Sequence, residues 1–598
     1  MKLRSIVIIT ASIFASVIIA GSTTLTGFNI ESIKCFLRIS TIFIVISSAL
    51  YLNKIQRNVF TLCFSAVYTM VSISGRIYSL YNTLLPMLSV WEMGIIICKG
   101  AAYFLFYAAL YSWFKVFIGS LKTNVIRENS YKLTENRLTS YALCCACYSM
   151  WFVLLRPNIA TYDSCNQISQ AFGWIPLANN NPFVHTLMMR LVLKSAFAIT
   201  KNVLSAIAVY TAFSILVFSG ITTAAVVFIE NNFNKKNIGV RLLELFYFIN
   251  PLVGWYSVTL WKDVWISYST LLLVISLYLF ENKKEKRIRY NITLFLAFQM
   301  VLFSKGTGIL YVCALLFFYS FGKTDRKKEI LIIIALSLVV NLGIVKIANN
   351  YCGVEKHNTA DTESIIWQTI ARTSKGHYDD FTPDELYRLN KFIDIEKAGQ
   401  LYDFTISDPV KGTCLHYDYF EKHRKECLLT WIKLGCKYPG TYLNAIYGAG
   451  FGYYYPEIRY WVFATSNYAV EAIKWRLKDP YVGSYDIEKA KMRQKKADEK
   501  RLFLDSIRTW PVVGEYASIG FYFMIYFMLC IYGIEKKIKK NKLLVAVPLA
   551  VFLGCIMSPV FAEMRYAYPV IITIPIYITL YAMESAKTET RSSYGERN

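Results

Sequence analysis

The sequence predicts an all-α polytopic membrane bundle of about fourteen transmembrane helices, with one mixed, mainly helical extracytoplasmic domain inserted late in the chain. Three observations carry this prediction. The 598 residues are 55% hydrophobic and only 18% charged, where a soluble chain carries about a quarter charged residues. Apolar runs near the ~20 residues a spanning helix needs recur along most of the sequence. Lys and Arg, which set the formal net charge of +25, cluster in the short gaps between those runs, as in cytoplasmic loops. That placement excludes nucleic acid as the reason for the charge.

The candidate spans lie at 5–22, 36–52, 58–75, 96–118, 139–156, 203–229, 241–258, 263–281, 289–303, 307–322, 328–347, 513–534, 542–560 and 565–583. The first also fits a signal peptide, because Lys2 and Arg4 precede its apolar stretch. The four segments in 1–138 form an N-terminal membrane part; 139–348 is the core, with an outer loop at 157–202; 349–512 is the inserted domain; 513–598 is a three-helix C-terminal part with a tail. Basic clusters at Lys122–Arg137, Lys283–Arg289, Lys323–Lys328 and Lys536–Lys542 all belong on the cytoplasmic side, with both termini. One apolar stretch, His185–Thr200, would reverse every later loop if it spanned. It is therefore read as an interfacial or re-entrant helix, with Arg190 and Lys194 snorkelling.

Inside 349–512 the expected helices are Glu363–Lys375, Pro383–Leu401 and Ile487–Arg508. Of the 14 Cys, Cys352, Cys414, Cys427 and Cys436 fall in this domain and would form disulfides only if it met an oxidising space.

Four places on the predicted outer face could carry chemistry. The first is Asp163, beside a span end and followed by Gln167, Gln170, Asn179–Asn181 and His185, side chains suited to hydroxyl-rich ligands. A carboxylate at that depth suits a general base, whereas the plainer reading is an Asp that caps the next helix. The second is Lys262-Asp263 between Trp261 and Trp265: Lys262 can take a phosphate, and Asp263 can hold Lys262 or a divalent cation; a capped helix start with Trp anchors is the plain alternative. The third is Lys305, an outside cation in the Gly-bearing turn Phe303–Gly308, read either as an anion contact or as a snorkelling Lys. The fourth is Glu563-Met-Arg565-Tyr566, where Arg565 suits bidentate phosphate contact, or else pairs with Glu563 or stacks on Tyr. Three outside cations and two outside carboxylates on one face fit a lipid-linked phosphate substrate.

From 139 to 583 the chain resembles the C-type integral-membrane glycosyltransferases, which use polyprenyl-phosphate sugars. Tyr162-Asp163-Ser164, Gln167 and Asn181-Pro182-x-x-His185-Thr186 are similar to their first outer loop, whose acidic residue is catalytic. Lys262-Asp263 is similar to their second acidic site. The strings Trp261-Lys262-Asp263, Glu363-x-x-x-x-Gln368-x-x-x-Arg372, Asp408-Pro409 and Tyr438-Pro439-Gly440 also resemble a set of bacterial membrane proteins whose function is unassigned. Two features depart from the superfamily: the soluble domain lies between helices, and four apolar segments precede the core. The resemblance implies an inverting transferase in the bacterial plasma membrane. It moves a sugar from a polyprenyl-phosphate donor to an envelope glycan, lipid or protein, with Asp163 as base. Gln167, His185, Lys262, Asp263, Lys305, Arg372 and Arg565 are the expected substrate contacts. A divalent cation (Mg or Mn) serves some members only; Asp163 and Asp263 are its candidate ligands here. The alternatives are a flippase for a lipid-linked saccharide and a non-enzymatic envelope assembly protein.

Overall fold

The structure, a computed structural model, describes residues 58–121, 137–179, 181–233, 237–282, 287–322, 325–355, 363–460, 462–465, 477–508, 513–558 and 560–595. The expected spans at 5–22 and 36–52 lie outside the described residues. The described chain is helical, and its β-structure is confined to isolated bridges. The first twelve helices are α1 (Val59–Tyr81), α2 (Val90–Ser120), α3 (Arg137–Leu154), α4 (Tyr162–Phe172), α5 (Phe183–Thr200), α6 (Val203–Asn232), α7 (Ile238–Ile249), α8 (Pro251–Ser257), α9 (Lys262–Asn282), α10 (Arg287–Ser304), α11 (Gly308–Phe321) and α12 (Lys327–Tyr351). Then come α13 (Ser364–His377), α14 (Pro383–Asn390), α15 (Ile395–Leu401), α16 (Asp408–Thr413), α17 (Tyr417–Lys422), α18 (Arg424–Lys437), α19 (Pro439–Gly450) and α20 (Ile487–Ile507). The last three are α21 (Ile519–Glu535), α22 (Asn541–Ile556) and α23 (Met564–Gly595).

Among the described residues, eight helices are long and apolar enough to cross a membrane: α1, α2, α5, α6, α7 with α8, α9, α12 and α23. The helices α10, α11, α21 and α22 are apolar but shorter. The expected span at 241–258 is broken at Asn250-Pro251. Proline cannot continue the ladder of α7, and Asn250 caps α8 by accepting from the Leu252 amide. The expected helix 383–401 is likewise two pieces, because Asp394 caps a new start at Ile395.

The bundle has two chemically distinct ends. At one, Lys115 and Asn58 meet Glu535, Lys540 meets Glu281, Arg326 caps the Phe280 carbonyl and Lys536 meets Glu589. These contacts tie together the start of α1 and the ends of α2, α9, α21 and α23, so the described helix ends beside the basic gaps gather on one side. The opposite end holds Asp163, Lys262, Lys305 and Arg565. Helix α5 has the dimensions of a span, yet it starts and finishes at this second end. Asn181 at its start bonds Gln170 of α4, while Asn202 after its last turn donates to the Ser484 carbonyl and Phe197 packs 4.7 Å from the Tyr481 ring. Helix α6 then runs to the basic end, where Glu230 faces Arg241.

Two hydrophobic cores form. The large one takes in the bundle and also Phe451–Phe463 and Tyr485–Leu504 of the late insertion. A smaller one, from Ile366 to Tyr442, is built around Trp367, Phe392, Phe420 and Leu434. The self-contained outer domain thus spans α13 to α19, while α20 is laid along the bundle. Cys352, Cys414, Cys427 and Cys436 are free thiols.

Candidate functional site

Asp163 is the second residue of α4, not its cap. Thr161 caps that helix with Ser164 in a reciprocal pair, so the Asp163 side chain is released from capping and turned to the cluster. Arg565 Nη1 donates to Asp163 Oδ2 at 2.6 Å. The same guanidinium lies 3.6 Å from Glu563 and 5.0 Å from the ring centres of Trp261 and Tyr566. Both plain readings of Arg565, the Glu563 pair and the aromatic stack, are therefore real, and the Asp163 pair is added to them. Trp261 is itself pinned, its indole N–H donating to Thr161 Oγ1 at 2.5 Å.

Asp263 is the second residue of α9 and is buried. One of its oxygens takes the Lys305 ammonium; the other, Oδ2, is buried without a hydrogen-bond partner. Lys305 comes from the turn between α10 and α11, which Gly308 allows to close: a Cβ there would strike the Val301 carbonyl. Its Nζ also sits 4.3 Å over the Tyr566 ring. Lys262 Nζ donates to Asn181 Oδ1 at 3.0 Å. Thus α4 supplies Asp163, the segment before α5 Asn181, α9 both Lys262 and Asp263, the α10–α11 turn Lys305, and the start of α23 Arg565.

Asp163, Asp263, Lys305 and Arg565 line a cavity of about 460 Å³. The same cavity is lined by the apolar side chains of Ile266, Leu310, Val551 and Met557, and by Asp408 and Lys411 of the outer domain, paired at 2.6 Å. A space lined by both charge and hydrocarbon suits an amphiphile with an anionic head.

Charge bookkeeping favours an anion. Burial tends to raise the Asp163 pKa, but Arg565, Lys262 and Lys305 outweigh it and hold the carboxyl below the ordinary Asp range. Burial pushes Glu563 up to about 7, with Arg565 opposing and Asp263 and Asp163 adding to the rise. Lys262, Lys305 and Arg565 thus meet Asp163, Asp263 and a Glu563 carboxyl whose ionised form is disfavoured by burial. This donor set does not fit a divalent cation. Each candidate carboxylate ligand, Asp163 and Asp263, already holds a cationic side chain, and no cluster of three His, Cys, Asp or Glu forms among the described residues.

Gln167 and His185 are not on the cavity. Gln167 Nε2 lies 2.7 Å from His185 Nδ1 and donates to Thr186 Oγ1, and the His185 ring packs on Trp265. They form a buried polar layer joining α4 to α5, which fixes Asn181 under Lys262. Arg372 is a correction. It belongs to the joint between the outer domain and α1, donating to Tyr78, Tyr402 and Asn82. Both its Nη1 and Nη2 donate there, and it lies outside the cavity lining. Sequence reasoning missed Lys411 as a cavity residue and singled out Asp408 only in the string Asp408-Pro409; Tyr566 was named as a stacking partner of Arg565.

The family whose model matches residues 174–594 is described as a family of unknown function, DUF6020. The match covers more than half of the chain, and the chain belongs to that family. No curated protein and no solved structure matches it.

Proposed function

We propose that this member of the family is an inverting glycosyltransferase. It moves a sugar from a polyprenyl-phosphate donor to an envelope glycan, lipid or protein, on the extracytoplasmic face of a bacterial plasma membrane. One observation carries the reading: two carboxylates, Asp163 and Asp263, and their paired cations, Arg565 and Lys305, line a cavity whose lining is otherwise largely apolar. The gathering of the basic helix ends away from this cavity supports an extracytoplasmic site and cytoplasmic termini. The polar layer under α5 supports its role as an interfacial helix.

The chemistry follows from the geometry. Arg565 and Lys305 neutralise the donor phosphate. The prenyl chain lies along the Ile266–Leu310–Met557 wall. The acceptor hydroxyl oxygen attacks the anomeric carbon as the bond from that carbon to the phosphate oxygen breaks. Polyprenyl phosphate departs with the electron pair, and the cations stabilise the charge it gains. The hydroxyl proton passes to Asp163. A carboxylate held in its ionised form is a weak base, which suits a late transfer, after the attacking oxygen has become acidic. The free oxygen of Asp263 can accept from a sugar hydroxyl. Attack opposite the leaving phosphate inverts the anomeric carbon. The charges sit at one end of the bundle rather than at mid-depth, which counts against the transporter.

The test is Asp163→Asn in membranes supplied with a radiolabelled polyprenyl-phosphate sugar. Transfer should fall by about 10²- to 10⁴-fold. Transfer at the unaltered rate, with the variant present in normal amount, overturns the assignment.

A further inference from the structure

Arg565 stands in the first turn of α23, so its direction depends on how residues 560–563 enter that helix. That entry is held by groups outside the spanning helices. The Tyr453 hydroxyl donates to the Val560 carbonyl at 2.7 Å and accepts from the Glu563 amide at 3.2 Å, closing both ends of the turn with one atom. Tyr453 is fully buried, in a single 3-10 turn that follows α19 of the outer domain. The outer domain adds backbone contacts. The Phe561 amide donates to the Thr405 carbonyl at 3.0 Å, and Ile406 forms an antiparallel bridge with Val560. Phe561 is lodged among Phe404, Phe451 and Tyr460, with ring centres 4.9 to 5.5 Å away. Gly452 makes room for it: a Cβ there would lie 2.5 Å from the Phe561 ring. Between these anchors Ala562 is bent to φ 48°, a left-handed conformation that a non-glycine residue keeps only when its surroundings enforce it.

We propose that Tyr453 is a positioning residue for Arg565. Its hydroxyl, with the backbone of Thr405 and Ile406, ties the 560–563 turn to the outer domain and sets the direction in which the guanidinium meets an anion. The inference rests on the reading of Arg565 as the contact to the ligand's phosphate. It makes docking of the outer domain a condition for anion binding, although no residue of that domain need touch the anion.

The experiment measures binding of farnesyl phosphate, and of uncharged farnesol as control, to the full-length protein in detergent. Four forms are compared: unaltered, Tyr453→Phe, Arg565→Gln and the double variant. Loss of the hydroxyl should weaken farnesyl phosphate binding about tenfold, the effect of roughly two modest hydrogen bonds, and leave farnesol binding unchanged. In the Arg565→Gln background the same change should cost nothing further, because the two residues act through one contact. If Tyr453→Phe binds farnesyl phosphate like the unaltered protein while Arg565→Gln does not, the positioning role is wrong and the phosphate contact stands. If Arg565→Gln binds normally, the phosphate reading itself fails. A second measurement needs no variant. Hydrogen exchange in the unaltered protein should show the Phe561 and Glu563 amides protected, and more so with farnesyl phosphate; exchange at the rate of an open loop overturns the clamp.

Discussion

Both ends of the bundle are rich in charge, and each mixes exposed with buried pairs. At the basic end the Lys536–Glu589 side chains are 37% and 56% exposed, whereas Lys115 and Glu535 are 7% and 13% exposed. At the cavity end the Lys305 and Asp263 side chains are 16% and 2% exposed, whereas Asp163, beside Arg565, is 48% exposed. An exposed pair is screened and contributes about 0–1 kcal/mol. A buried pair is desolvated, so each member depends on the other. Burial of charge thus separates pairs within each end, and the cavity end differs in gathering carboxylates and cations from several helices on one space.

The contrast can be broken in order of expected effect. Asp263→Ala leaves Lys305 and Lys262 without their buried counter-charge and should cost about 3–5 kcal/mol of stability, read by thermal unfolding in detergent. A loss under about 1 kcal/mol would place Asp263 among the surface pairs. Next comes pH. Burial raises Glu563 from the ordinary value of 4.5 to about 7, so the folded state binds the extra proton between those values. The stability it contributes is fully present below about 4.5 and is lost as pH rises through about 7. Glu563→Gln should flatten that fall in a melting series from pH 5 to 8. Arg372→Met removes the fork that joins the outer domain to α1, and about 1–3 kcal/mol of stability with it, since buried acceptors lose a charged donor. Farnesyl phosphate affinity should change less than it does in Arg565→Gln. The smallest effect belongs to Lys536→Ala, within about 0.5 kcal/mol and smaller still at high salt.

Much of the architecture was legible from periodicity and charge placement. Apolar length located apolar helices, of which eight among the described residues are long enough to cross a membrane rather than the expected fourteen, and the basic gaps predicted which helix ends would meet. That α5 returns to its starting end followed from the loops around it, since its own composition reads as a span. The convergence of Asp163, Lys262, Asp263, Lys305 and Arg565 was foreseen from their shared face. What could not be read was partnership. The Glu363-to-Arg372 string looks equally suited to a ligand or to a joint, and only the position of Tyr78 and Asn82 decides for the joint. Gln167 and His185 were visible as polar groups near Asp163, but the direction of a helix face is set by packing, which turned them into the α4–α5 layer. The role of Tyr453 left no local signal, because its partners are backbone groups more than a hundred positions away.

The pairing of Asp163 with Arg565 spans 402 positions of sequence. On a ribosome adding about 5–20 residues each second, the carboxylate waits roughly 20–80 s for its guanidinium. Lys262 and Lys305 arrive earlier and can hold it in the interval. The cavity is therefore finished only when the last helix has been inserted and the outer domain has already docked. A chain that has not yet reached Arg565 carries the carboxylates without the closing arginine.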